Sequence, residues 1–422
     1  MMHAIDIIDA MLEGAEAPVT VECCIYKVPF DIRRLKAGAY TPKVVSIGPF
    51  HHNRHPRLQN MERHKLNYCK AFLQRTNTTS DTWIRYIEAV ENNVRRCYSE
   101  PLDFSKEELV TIIFVDSGFI LELFCRTGEE EENENWSNDD LYLSTPWLDS
   151  SIRQDLWLLE NQLPFFVLHQ LFNKSSNRTP NDNLFVLLTV NYFGYYHSYS
   201  EGRFIHDSNI RHFTDLLRTF HLQHPPQTRP PRTVEGQLVP HPPSASELSE
   251  AGVRFKVNKK SKCLLDVLFS GRILKIPQLK VEDRTEILFR NMVALEQCHY
   301  PYFSYITDYV VFLDFLVNTS KDVDILVQEG VLLNWLGDAD SVANMFNGLC
   351  QNVVHPNVSW PYFDNARDLN AFCRNRWNIL LSTLRLDYCK TPWKTAATIG
   401  GIFLLFLSFV QTLCSVVQVI QQ

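Results

Sequence analysis

Twenty-five consecutive residues near the carboxyl end, Ala396 to Ile420 (AATIGGIFLLFLSFVQTLCSVVQVI), carry no charge. As a helix at about 1.5 Å per residue the run reaches roughly 37 Å, enough for a ~30 Å hydrocarbon core with some tilt. A soluble helix ordinarily turns one face to water, and few stay apolar all round for this length. The run therefore predicts one membrane helix over 395–420, with the lipid bilayer as a partner. A buried core helix is the competing reading.

Within that helix Ala397, Gly401, Leu404, Ser408, Gln411, Ser415 and Gln418 recur at alternating steps of four and three. All but Leu404 are small or polar, and together they line one seam. Small residues let backbones approach, and Gln or Ser can hydrogen-bond across helices where no water competes. The seam predicts association of tail helices, hence a homo-oligomer. The alternative is an anchor that merely tolerates polar residues.

Arg376, Arg385, Lys390 and Lys394 precede the span against Asp387, and only Gln421 and Gln422 follow it. An excess of positive charge on that flank predicts a cytosolic body and a tail-anchored chain. Six N-x-S/T sequons, at Asn77, Asn135, Asn173, Asn177, Asn318 and Asn357, would suit the opposite topology. The amino terminus has acidic residues, no basic region and no long apolar core, unlike a cleaved signal peptide.

Hydrophobic residues make up 45% of the chain, so the body has material for a real core. The net charge of −7 argues against a nucleic-acid partner, which needs a concentrated basic face. The lysines of KVNKKSK (Lys256 to Lys262) read as a solvated loop, and GEEEENEN (Gly128 to Asn135) as an exposed one. Eleven cysteines form no CxxC pair, so free thiols in a reducing compartment are expected.

Apolar spacing predicts helices around Leu58–Leu73, Asp81–Tyr98 and Lys106–Arg126, the last capped by Ser105 with Glu107 and Glu108 in its first turn. CCIYKVPFDIRRLKAGAYTPKVVSIGPFHH reads as extended structure with turns. His224 to Ser244 holds seven prolines and reads as an exposed, partly disordered linker. A PxxP at Pro240–Pro243 inside it could dock an SH3-like domain. AGVRFKV and CLLDVLFSGRILKIPQLKV predict short strands, and helical patterns resume from Arg284 to Arg385. The fold class is mainly α, with a few short β-strands plus one C-terminal transmembrane helix.

Chemistry is harder to find. There is no GxSxG, G-K-[ST], GxGxxG or HExxH. His51, His52, His55 and His64 with Glu62 form the densest histidine group, but Pro56 breaks the spacing, and a packed turn is expected over a metal site. Asp322–Asp324 and Asp338–Asp340 resemble DxD pairs, yet both fall where helices begin and capping is ordinary. No catalytic residue, cofactor or metal site is predicted.

The remaining oddity is DLWLLENQLPFFVLHQLF, Asp155 to Phe172, where Glu160, Asn161 and Gln162 interrupt an apolar run. Ile152, Leu156, Leu159 and Leu163 keep helical spacing up to Pro164. That proline has no N–H for the Glu160 carbonyl and biases Leu163 away from helix. The motif is expected to be a kink or helix junction inside the core, its polar trio serving orphaned backbone groups rather than catalysis.

Several stretches together resemble the plant family catalogued as domain of unknown function 247, also called uncharacterised protein family 0481. They are IYKVPFDIRRLKAGAYTPKVVSIGPFHH, LQNMERHKLNYCKAFLQR, DSGFILELF, DLWLLENQLPFFVLHQLF, SASELSEAGVRFK, TEILFRNMVALEQC, DVDILVQEGVLLNWLGDADSVANMFNGLC and TPWKTAATIGGIFLLFLSFVQTLCSVV, in family order. HHN stands where the family usually has His-His-Gly. The resemblance implies residues 1–21 as an opening segment, 22–394 as one family domain with its insert at 224–244, and a single-pass anchor. It implies no established enzymatic activity. Some grass members are implicated as pollen-side determinants of self-incompatibility, so an unidentified protein partner is expected. The alternatives are an enzyme of unrecognised type, through Glu160 or His51, His52 and His64, or a tail-anchored endomembrane adaptor.

Overall fold

Local capping chemistry sets where the helices begin and end. In the computed structural model the described residues are 21–132, 145–175, 184–194, 210–222, 229–234, 236–261, 263–375 and 392–421, with positions 4, 8, 12 and 377. Most of the opening segment, the second half of the acidic run, residues 223–228 and Arg376, Arg385 and Lys390 before the tail lie outside them.

In chain order the elements are α1 (Phe30–Arg33), α2 (Gln59–Thr76), α3 (Ser80–Arg96), α4 (Lys106–Glu132), α5 (Pro146–Asp155), α6 (Phe165–Ser175), α7 (Leu184–Tyr192), α8 (Phe213–Leu222) and α9 (Ala245–Glu250). Then come β1 (Arg254–Val257), β2 (Leu268–Ser270), β3 (Ile273–Ile276), β4 (Leu279–Val281), α10 (Asp283–His299), α11 (Tyr305–Leu316), α12 (Ser320–Gln328), β5 (Leu332–Asn334), α13 (Ala339–Leu349), α14 (Trp360–Arg374) and α15 (Pro392–Gln421). The fold is mainly α with five short strands among the described residues.

Ser105 caps α4 through a reciprocal pair: its hydroxyl accepts from the Glu108 N–H at 3.1 Å while Glu108 accepts from the Ser105 N–H at 2.8 Å. The same box opens α9 at Ser244–Glu247 and α12 at Thr319–Asp322. α2 closes on Asn77 in the left-handed region, φ +51°. α2 and α4 pack so closely that a Cβ on Gly118 would lie 2.3 Å from Cys69 Sγ, so only glycine fits there.

β3 is central in a three-stranded sheet, parallel to β1 and antiparallel to β2, while β4 pairs in parallel with β5. One large apolar core runs through the body. A smaller one joins Val28, Ile32, Ala39 and Tyr40 to Leu159 and to Ala294 and Leu295 of α10.

Five expectations are corrected. The acidic run is helical through Glu132, because α4 continues past Gly128. The helix bearing Ile152 stops at Asp155, well before Pro164. β5 interrupts the second helical region, where the apolar pair Val331 and Leu332 finds β4. Of the residue 23–52 stretch, Phe30–Arg33 is a helical turn and Ala37–Ala39 a 3-10 turn. The proline-rich insert is not a loose linker in its described part. Arg232 pairs through both terminal nitrogens with Asp308, at 2.8 and 2.9 Å, and bridges Ser359 in the chain. Within the PxxP, Pro242 is buried and His241 stacks on Phe315 at 4.3 Å between centroids, so packing has claimed that motif.

Candidate functional site

Between α5 and α6 the chain runs from Leu156 to Pro164 in turns rather than helix, with only a few short-range backbone bonds, yet all of it is buried. A buried main chain must find partners for every N–H and C=O. Here side chains supply them. Gln162 Nε2 donates to the carbonyls of Leu156 and Leu158, at 2.7 and 2.8 Å. Asn161 Nδ2 donates to those of Asp155 and Val45, at 2.9 and 3.0 Å. The Thr214 hydroxyl covers the Trp157 carbonyl, the Tyr98 hydroxyl that of Gln162, and Asn291 Oδ1 receives the Leu159 N–H. Pro164 sits just before α6, and the next N–H, on Phe165, reaches the Arg211 carbonyl.

Asn161 also helps to hold a second irregular strip, Lys43 to Gly48. Asp155 accepts the N–H groups of Lys43, Val44 and Val45 at 2.6–3.0 Å. Asn161 Oδ1 takes the Ile47 N–H and Asp116 that of Gly48, each at 2.8 Å. Lys65, whose ammonium is fully buried, donates to the Ser46 carbonyl at 2.9 Å and lies 2.5 Å from Asp116 and 2.8 Å from Glu62. Gly48 has φ +69°, and a Cβ there would stand 2.4 Å from the Gln162 carbonyl. Two irregular segments that form no sheet are thereby joined through Asn161, while Asp155, Asp116 and Lys65 hold the second of them in place.

Glu160 faces the other way, into the small core. Its Oε1 accepts the Val28 N–H at 2.9 Å and Arg33 Nε at 3.1 Å, and its Oε2 lies 3.3 Å from His51 Nε2. Burial, the largest influence, would raise its pKa. His51, the Val28 N–H and Arg33 outweigh that and hold the carboxyl below the usual glutamate range. Asp155 differs: burial pushes it up to about 6, and its backbone donors pull it only partly back.

The histidine group does not gather round one point. His51 stacks on His55 at 6.3 Å, while His52 meets Phe104 edge-on. Among the described residues no three His, Cys, Asp or Glu side chains are placed to hold a metal ion. Asp338 caps α13 from 2.6 Å, and Asp322 receives the N–H groups of Ser246, Asn318 and Thr319. No disulfide joins any of the ten described cysteines.

A cleft of about 430 Å³ between α2 and α4 is lined by His52, Glu62, Glu107, Glu108 and Asp116 with apolar neighbours. Three of its four carboxylates already have partners: Glu62 and Asp116 on Lys65, Glu108 on the Ser105 N–H. Sequence reasoning missed Asp155, Lys65 and Asp116. Asp116 lies in IIFVDSGFILELF, an apolar run broken by two carboxylates, Asp116 and Glu122, the same signal that drew attention to Glu160.

All the seam residues lie on α15, whose stretch Ala396–Gln418 is long and apolar enough to cross a membrane and is not buried against the body. Ser415 donates its hydroxyl to the Gln411 carbonyl of its own helix at 2.9 Å. The remaining polar reach of the seam rests with Ser408, Gln411 and Gln418.

A helical body whose buried carboxylates are engaged by its own chain, with one exposed apolar helix at its carboxyl end, defines a class of candidate single-pass membrane proteins. The chain belongs to the DUF247 family, plant protein of unknown function, whose model matches residues 25–407. It is similar to UPF0481 protein At3g47200 of Arabidopsis thaliana, at 29% identity over 94% of this chain and 89% of that one. It is also similar to the putative UPF0481 protein At3g02645 of the same plant, at 25% identity over 96% and 92%. No solved structure matches the chain.

Proposed function

We propose that the protein is a membrane-anchored, non-enzymatic recognition protein whose body binds another protein, with signalling of the self-incompatibility type as one instance. The observation that carries the anchor is the unburied apolar stretch Ala396–Gln418. What supports the absence of catalysis is the engagement of Glu160, Asp155 and Asp116 by backbone N–H groups and cations. A general acid or base needs a substrate proton within hydrogen-bond reach.

Orientation is tested by glycosylation and protease protection. The structure sorts the sequons: Asn77 and Asn318 are exposed, whereas Asn173 and Asn357 are buried. A cytosolic body leaves Asn77 and Asn318 unmodified and the body open to protease on intact microsomes. Glycans at those two positions, with a protected body, would reverse the orientation and favour a cell-surface recognition role.

A further inference from the structure

Between Cys23 and Arg75 the chain carries eleven lysines and arginines against only Asp31 and Glu62, although its net charge is −7. Several of these cations face carboxylates, as Arg33 does Glu160, Lys36 Glu286 and Lys65 Asp116. Arg54 and Arg57 do not: both are exposed, and among the described residues neither pairs with a carboxylate. We propose that the turn His51–Arg57 binds a phosphate monoester dianion, with Arg54 and Arg57 gripping its oxygens and His55 donating a further hydrogen bond.

The backbone brings these groups to one place. The chain reverses over His51–Arg54, where the Arg54 N–H meets the His51 carbonyl at 3.2 Å and Asn53 takes φ +56°. Pro56 then opens a 3-10 turn, Pro56–Leu58, closed by the Leu58 N–H on the His55 carbonyl. From that turn Arg57 reaches back, its Nη2 donating to the Pro42 carbonyl at 3.0 Å. One residue earlier, the Thr41 hydroxyl accepts Arg33 Nη2 at 2.9 Å. Two guanidiniums are thus held on adjacent residues. The His55 ring stacks on His51, which lies against the carboxylate that Arg33 also holds.

The charges around His55 are of one sign. Burial first, then His51, Arg57, Arg33 and Arg54 hold its imidazole below the ordinary histidine range. Glu160 neutralises Arg33 from the buried side, so the uncompensated cations are Arg54 and Arg57. A dianion balances two such charges, and its arrival favours a protonated His55. Arg57 spends one donor on Pro42, and no ion pair or hydrogen bond engages the Arg54 side chain or the His55 ring among the described residues. Guanidinium forks match pairs of phosphate oxygens, and the imidazole supplies a third direction.

The test titrates the full chain, in phosphatidylcholine nanodiscs at fixed ionic strength, with inositol trisphosphate and with neutral inositol, read by calorimetry. The expected result is binding of the first and none of the second. Arg54→Gln with Arg57→Gln weakens binding by about tenfold or more. Arg54→Gln alone, whose side chain bonds nothing in the fold, weakens it several-fold at unchanged Tm. Lys259→Gln with Lys260→Gln removes the same charge from another exposed basic run and changes affinity by less than about twofold. Nanodiscs doped with phosphatidylinositol bisphosphate separate the sources of the ester. A lipid headgroup as occupant lowers apparent affinity for the soluble probe relative to phosphatidylserine nanodiscs of equal charge, and a soluble ester leaves it unchanged. Absence of binding to the folded chain at millimolar concentration overturns the proposal. So does a folded Arg54→Gln variant that binds as the parent does, or an equal loss from the Lys259 and Lys260 substitutions.

Discussion

Glu160 and Val28 stand 132 residues apart in the chain, and the carboxylate of one accepts the N–H of the other at 2.9 Å. That bond, with the Arg33 pair beside it, fastens the segment before α1 to the α5–α6 connection and closes the small core around Leu159. It explains why an ionised side chain sits among leucines: the irregular main chain on both sides of it needs acceptors.

Glu160→Gln keeps one acceptor for Val28 but turns an amide N–H₂ toward Arg33 or His51. The variant should lose about 1–3 kcal/mol of stability. The Arg33 share falls at the low end, since that side chain is about one-third exposed at 32%. Thermal unfolding followed by circular dichroism reads this as a lower Tm, with membrane association retained. An unchanged Tm together with lost function would mark Glu160 as a reacting group.

Acidity should move stability in two opposite steps. Asp155 titrates at about 6 when folded and near 3.9 when unfolded, so the folded state binds its proton more tightly. Its contribution is fully present below pH ~4 and is lost as pH rises through 6. Glu160, held below its usual value, contributes stability above its unfolded pKa of about 4.3 that disappears as pH falls through the folded one. His212, His221 and His299, each held down to about 4 by burial, oppose the Asp155 step, because the unfolded chain takes up their protons first as pH falls below ~6.5. The Asp155 step is therefore read as a difference: Asp155→Asn should lower Tm throughout by unmaking backbone bonds, and the gap between parent and variant should widen from pH 7 to pH 5. A gap that stays constant or narrows over that interval would contradict the step.

Lys65→Met removes the cation shared by Asp116, Glu62 and the Ser46 carbonyl, leaving the Asp116 carboxylate buried beside a thioether. Breaking one side of a buried pair typically costs about 3–5 kcal/mol. Urea unfolding of the purified chain in detergent should show the midpoint falling accordingly, and Lys65→Met with Asp116→Asn should recover part of the loss. Recovery fails if the pair is not the source.

Tail association is tested on the seam. Gly401→Leu with Gln411→Leu places bulk where backbones would approach and removes the one interior glutamine. Blue-native migration and crosslinking should then report a smaller species than the parent. The same oligomer in both would remove the seam from the account.

Much of the fold was legible in the sequence because it is local. The α4 cap at Ser105, the first three long helices, the short strands around Gly271 and the apolar tail follow from spacing, capping and turn chemistry. What was not legible is the long-range wiring. Asp155 looked like the middle of a helix because Ile152, Leu156 and Leu159 keep helical spacing; in fact those residues serve two different cores across a break. The proline-rich insert looked loose because proline excludes helix and sheet, yet Arg232 finds Asp308 76 residues away and pins it. No periodicity encodes such a partner.

The central claim is that Ala396–Gln418 holds a helical body at a membrane. Alkaline carbonate extraction of microsomes from plant cells expressing the full chain tests it, alongside Leu405→Asp with Phe406→Lys. Each substituted position puts a charge at the helix centre, at a cost of about 2.5–3.5 kcal/mol on insertion scales. The account predicts that the parent chain stays in the pellet and that the doubly substituted chain moves to the supernatant. Release of the parent, or retention of the variant to the same extent, would contradict it.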